Sequence, residues 1–206
     1  MSEFAQVHPQ NPKPRIIKQA VDVLLGGGVI VYPTDSMYAL GCRIGDKAAL
    51  DRIRQIRQLG ERHNFTLICR DLSSLAVYAQ VHNSAYRILR NHTPGPYTFI
   101  LKASAEVPRR LMHPKRKSIG LRVPNHPVAQ ALLAALNEPL MSTSLILPDT
   151  DEQLLEPYEM REKIGKRVDL ILDGGACGLE PTTMINLIEG VPELMRIGKG
   201  DSTPFQ

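Results

Sequence analysis

The chain has 206 residues, 43% of them hydrophobic and 22% charged, with a net charge of +4 and no Trp. That length suits one domain able to bury roughly 70% of its unfolded surface, which needs no disulfide or metal staple. Cys42, Cys69 and Cys177 are scattered, no apolar run approaches a membrane span, and Met1 to Arg15 lacks the apolar stretch of a signal peptide. A reduced, cytoplasmic protein without a membrane partner is therefore expected.

Ile16, Ile17, Ala20, Val21 and Leu24 recur at helical spacing until Gly26-Gly27-Gly28 ends the pattern. The β-branched run Val29 to Tyr32, stopped by Pro33, predicts a buried strand. Asp46 is placed to cap a helix with Ala49, Leu50, Ile53 and Ile56 on one face. Phe65 to Cys69 reads as strand, and Asp71 and Asn83 as caps of two further helices. Tyr97 to Leu101 and Ile119 to Val123 are the next strands, His126 to Leu136 the clearest helix. Strands at 140–145, 170–172, 184–188 and 194–197 follow, and acidic Pro148 to Pro157 reads as a mobile surface loop. Strands and helices intermix with no linker or repeat, so the expectation is a single α/β domain over 1–206, a twisted mixed sheet with flanking helices.

Strand ends carry the chemistry. Pro33-Thr34-Asp35-Ser36 leaves the first strand, Ser142-Thr143-Ser144 interrupts an apolar one, and Pro181-Thr182-Thr183 precedes another. Hydroxyls so grouped suit phosphate or carboxylate oxygens, although each could equally be satisfied within the core. Arg122 and Arg196, near the ends of apolar runs, have the fork that binds anions bidentately. Arg109, Arg110, Lys115, Arg116 and Lys117 form a basic stretch suited to an RNA backbone or to solvation. There is no P-loop, no G-x-G-x-x-G after a strand, no G-x-S-x-G and no H-E-x-x-H, and the dispersed histidines predict no metal site.

Taken in order, five segments resemble the YrdC/YciO family, closest to its YciO branch. Pro33-Thr34-Asp35-Ser36-Met37-Tyr38-Ala39-Leu40-Gly41 is similar to P-T-[DE]-T-x-Y-G-L-G, and Thr93-Pro94-Gly95-Pro96-Tyr97-Thr98 to W-P-G-P-x-T. Gly120 to Pro127 resembles G-x-R-x-P-x-H-P, Pro181-Thr182-Thr183 resembles P-S-T, and Arg196-Ile197-Gly198 resembles R-x-G. The resemblance spans residues from about 15 to 200. It implies a YrdC-like fold and an enzyme that makes threonylcarbamoyl-AMP from threonine, bicarbonate and ATP with Mg²⁺, for tRNA modification; the alternative is a module binding tRNA or double-stranded RNA. By position, Thr34, His63, Arg122, Thr182 and Thr183 would bind substrate, and Arg57, Thr143, Ser144 and Arg196 the nucleotide. Two departures are plain: Leu59 stands where the family's K-x-R has its second cation, and Thr143-Ser144-Leu145-Ile146 lacks the Asn of T-S-A-N.

Overall fold

The strongest local signals produce the expected elements. In the computed structural model, which describes residues 3–60, 63, 65–148 and 156–206, Pro14 opens helix α1 (Pro14–Leu25), whose stripe Ile17, Ala20, Val21 and Leu24 is buried. Gly26 caps it, and Gly27 turns the chain with φ +80°. Asp46 caps α2 (Lys47–Arg57) by accepting from Ala49 N at 3.0 Å, and Asp71 caps α3 (Leu72–Tyr78) by accepting from Ser74 N at 2.7 Å. Helix α4 (Asn83–His92) starts one residue earlier than the sequence suggested: His82 occupies the cap position, and Asn83 is already helical.

The described strands form one sheet: β1 (Glu3–Gln6), β2 (Ile30–Tyr32), β3 (Ala39–Arg43), β4 (Thr66–Ile68), β5 (Tyr97–Lys102), β6 (Ser118–Arg122), β7 (Leu140–Ser144), β8 (Leu170–Asp173), β9 (Thr183–Asn186) and β10 (Glu193–Arg196). Their spatial order is β1-β8-β2-β3-β7-β4-β6-β5-β9-β10. The pairs β1–β8, β8–β2, β4–β6 and β5–β9 are parallel and the others antiparallel, so the sheet is mixed. Thr93-Pro94 is a cis peptide bond just before β5.

Both faces of the first strands are covered, which is why they read as unbroken apolar runs. Ile30 and Tyr32 of β2, with Leu170 and Leu172 of β8, pack under α1 and α5 (Pro127–Leu136). Val31 and Ile171 turn the other way, into a core with α2, α3, α4 and α6 (Pro157–Ile164). β5, β9 and β10 contribute nothing to the α1–α5 core, so that end of the same face stays open. Strand β3 was not foreseen. Its Gly41 lies so close to Tyr32 that a Cβ would sit 2.8 Å from the ring, and a glycine in an Ala-Leu-Gly-Cys run hides the strand pattern. β1 and α6 were also missed; of the expected loop at 148–157, residues 149–155 lie outside those described. Among the described residues no helix is long and apolar enough to cross a membrane.

Two features hold the open end together. The C-terminal strap runs back over β9: Thr183 Oγ1 donates to Gly200 O (2.6 Å) and accepts from Gly198 N (3.1 Å), while Lys199 N donates to Pro181 O (2.9 Å). The second is His126, half-buried, whose Nδ1 accepts from Val128 N at 3.3 Å to cap α5. Burial, and then the positive charges of Arg122 and Lys199, push its pKa down to about 4.

A Cβ at Gly198 would meet the Pro181 carbonyl and come within 2.6 Å of the Thr182 carbonyl carbon. Gly198→Ala should lower unfolding stability by on the order of 3 kcal/mol in urea titration; an unchanged midpoint would show a strap free to move. For His126, an unfolded-state pKa near 6.5 means that the unfolded chain takes up the proton first as pH falls from about 6.5 towards 4. Stability should therefore drop through that window. His126→Asn, which keeps a cap without a titrating ring, should drop less in thermal melts from pH 7 to pH 4; parallel curves would rule the histidine out.

Candidate functional site

The open end of the sheet holds a cavity of about 120 Å³, bordered by the ends of β4, β6, β7, β9 and β10. At roughly 30 Å³ per water, this is room for about four waters. It suits one end of a ligand and leaves any larger part on the open sheet. Arg57, His63, Arg122, Thr143, Ser144, Thr182 and Arg196, all expected from sequence, border it. Thr34 and Thr183 do not. Thr34 is buried behind Arg122, and its hydroxyl proton goes to Met37 O at 2.6 Å while Ser36 N donates to it. Thr183 is fully buried and spent on the strap. Both hydroxyls shape the walls, because a short side chain beside a turn finds main-chain partners first.

Three guanidinium groups face this small space, each held differently. Arg122, at the end of β6, is 5% exposed and pairs through Nη2 with Asp35 Oδ1. Asp35 Oδ2 accepts from Asn125 N at 2.8 Å, and the Asp35 carbonyl accepts from Lys199 Nζ at 2.6 Å. Burial lowers the Arg122 pKa to about 10, which still leaves a cation at neutral pH. Arg57, in the last turn of α2, donates to the Ile146 carbonyl. Arg196 donates from Nε and Nη2 to Thr182 O at 3.1 and 2.9 Å, and from Nη2 to Thr182 Oγ1 at 3.1 Å. It reaches the cavity because β10 bulges there: Leu194 pairs with Ile185 and Arg196 with Met184, leaving Met195 as an extra residue.

The hydroxyl layer is partly committed. Ser142 Oγ donates to Leu40 O at 3.0 Å, so Tyr32 Oη donates to Ser142 Oγ at 2.8 Å, and burial pushes the Tyr32 phenol up to about 12. Thr98 and Thr182 share a proton between oxygens 2.7 Å apart. Thr66, Thr143 and Ser144 make no side-chain hydrogen bond among the described residues and can turn to a ligand. Burial, then Arg57 and Arg54, lower the His63 pKa, so the ring lies in the cavity wall as neutral imidazole. Carboxylates form no cluster with histidine or cysteine that could hold a metal ion among the described residues. Three guanidinium groups and several hydroxyls thus share one space, with apolar flanks from Met37, Ile68, Ile146 and Met184.

Sequence reasoning missed Thr66, Ile68 and Met184. Period-two alternation from Thr66 to Ile68 and from Met184 to Asn186 carried the signal, but which face was open was not readable. Leu59, in the place of a phosphate-binding cation, does not face the cavity: Gln58 ends α2 at φ 51° and Leu59 packs partly buried against the core. The basic stretch lies elsewhere. Arg109, Arg110, Lys115, Arg116 and Lys117 are all exposed, and Arg116 borders a separate cavity with Lys102 and Glu193.

A family model described as telomere recombination matches residues 22–198. YciO of Escherichia coli K12 is 56% identical over 205 residues, with both chains fully covered, and its crystal structure superposes with a TM-score of 0.96. A threonylcarbamoyl-AMP synthase of Halorhodospira halophila is 33% identical over 178 residues, covering 86% of this chain and 92% of that one. P. abyssi Sua5 complexed with L-threonine has a TM-score of 0.87 at 24% identity, over 96% of this chain and 58% of that one, a likeness of fold. With the ordered motifs, the mixed sheet and the matched family model in agreement, the chain belongs to the Sua5/YciO/YrdC family.

Proposed function

We propose that the cavity binds a small amino acid, threonine by analogy with the relatives, beside an adenylate, as in a threonylcarbamoyl-AMP synthase. The observation that carries this reading is the convergence of Arg57, Arg122 and Arg196 with the hydroxyls of Thr66, Thr143, Ser144 and Thr182 on one space of amino-acid size. In the reaction, the amine adds to the carbon of bicarbonate-derived CO₂ and loses a proton to give a carbamate. A carbamate oxygen then attacks the α-phosphorus of ATP, and the bond to pyrophosphate breaks. No side chain need act as nucleophile; the chain orients the reactants and meets phosphate charge. Arg122 would take the amino-acid carboxylate, and Arg57 and Arg196 the phosphate. The described lining presents cations and hydroxyls rather than the carboxylates that hold Mg²⁺, so the chain's own residues do not build a magnesium site there. Such an activity belongs in the cytoplasm and serves tRNA modification.

One observation favours RNA binding as a second reading. Arg109, Arg110, Lys115, Arg116 and Lys117 are exposed, and none forms an ion pair among the described residues.

Purified protein given ATP, bicarbonate and threonine should release pyrophosphate and yield a product with the mass of threonylcarbamoyl-AMP. Arg57→Ala should cut turnover by about 100-fold. Release at background level with every amino acid, beside a competent control enzyme, would remove the synthase reading. For the second reading, affinity for duplex RNA should fall steeply with salt. Changing Arg109, Arg110, Lys115, Arg116 and Lys117 to Ala should weaken binding to all sequences alike and flatten that slope. Unchanged binding would leave the stretch to solvation.

A further inference from the structure

We infer that His63 is the catalytic proton acceptor of the cavity, able to take the proton of a substrate ammonium group once an anion has settled on Arg57. The proposal deepens the reading of the cavity as the site of a threonylcarbamoyl-AMP synthase and rests on it for the identity of the reaction.

The cavity is lined by groups that donate protons and by very few that can receive one. Arg57, Arg122 and Arg196 are cations with no lone pair to offer. Among the described residues no carboxylate, cysteine or lysine borders the space, and the hydroxyls of Thr66, Thr143 and Ser144 are far too weak as bases. The imidazole of His63 is the one side chain of that lining whose ordinary pKa lies near neutrality. Its main-chain N–H donates to Gly60 O at 3.0 Å. Its ring makes no hydrogen bond among the described residues and meets the Phe65 ring edge-on, with centroids 5.3 Å apart. A ring nitrogen that carries a lone pair is therefore uncommitted in the cavity wall.

The charges around this ring set when it can work. Arg54 and Arg57 of α2 act on it directly, and Arg122 of β6 and Arg196 of β10 border the same space. Burial and the two α2 cations keep the ring neutral and so ready to accept, yet the same field opposes the imidazolium that acceptance creates. An anion on Arg57 cancels part of that field, so the base strengthens as the site fills. The cations also make a nearby ammonium group more acidic, which narrows the gap between donor and acceptor.

In the synthase reaction, an ammonium N–H proton passes to the ring nitrogen and leaves a lone pair on the amine. The imidazolium hands that proton to the hydroxyl of bicarbonate, whose C–O bond breaks to give water and CO₂. The amine nitrogen then bonds to the carbon of CO₂, and the adduct releases its second N–H proton to solvent as the carbamate forms.

The test reads the ring and the reaction separately. In protein carrying ¹³C-labelled histidine, the Cε1–Hε1 cross-peak of His63, assigned by its loss in His63→Gln, is followed by NMR against pH without and with inorganic pyrophosphate. Its midpoint should rise when pyrophosphate is present, and should rise less in Arg57→Ala. Pyrophosphate release from ATP, bicarbonate and threonine should increase with pH through the ligand-bound midpoint, because imidazolium cannot accept a proton. His63→Gln should lose that increase and about 100-fold in turnover, with a much smaller effect on KM for threonine. Should His63→Gln lose its dispersed amide spectrum, His63→Asn takes its place. A midpoint indifferent to pyrophosphate, an equal rise in Arg57→Ala, or a His63→Gln enzyme that keeps wild-type turnover or its pH dependence overturns the proposal. If the wild type releases no pyrophosphate, the synthase reading falls and the titration alone decides. A midpoint that pyrophosphate raises through Arg57 then upholds His63 as the anion-gated proton acceptor, and a fixed one overturns it.

Discussion

Asp35 follows β2 and Arg122 ends β6, two strands with β3, β7 and β4 between them. On a flat sheet, four steps at the usual spacing would part their ends by about 19 Å. The side chains nevertheless meet in an ion pair that is 7% and 10% exposed: three residues of chain beyond Tyr32, at about 3.3 Å each when extended, and the long Arg122 side chain can reach across that gap. Taking both charges out of water is expensive, and a buried pair of this kind is justified by specificity more readily than by stability. The bonds around it fit that view. Asn125 N and Lys199 Nζ both converge on Asp35, tying the entry to α5 and the C-terminal strap to the same point. The ion pair thus joins the exits of two strands that are not neighbours, beside the cavity that Arg122 borders.

Around that pin the protein keeps polar atoms in a costly condition. Among the described residues, the buried side-chain nitrogens without a partner are Nε of Arg54, Arg57 and Arg122, and the last two arginines border the cavity. Arg57 and Arg196 lean on the main-chain carbonyls of Ile146 and Thr182, which satisfy part of each guanidinium without neutralising its charge. An anion placed there would meet cations already oriented and in part dry. Preorganisation of that kind is what a small site needs to bind charged groups in competition with water.

The sequence made the elements more legible than the site. Period found α1, α2 and α5, whose apolar stripes are long enough to read, and an Asp cap marked α2 and α3. β3 escaped because its glycine answers to the Tyr32 ring, a contact that is distant in sequence. At the site, hydroxyls and arginines near strand ends could be picked out by residue type. Their engagement could not: Thr34 and Thr183 have the same chemistry as Thr182, and only packing decides which of them turns to the cavity. Leu59 shows the same limit. A motif fixes a position along the chain, while the left-handed turn at Gln58 fixes where that position points.

The extra residue at Met195 has an effect outside the site. β10 closes one end of an open sheet; Met195 is exposed on it, and Val191 and Ile197 are exposed just beyond its ends. A flat, apolar edge of that kind would be a template for the strand of another chain. The bulge breaks the regular repeat of outward N–H and C=O groups and twists the strand, while Glu193 and Arg196 add charge to it. The distortion that delivers Arg196 to the cavity therefore also lowers the tendency of the sheet to grow by aggregation.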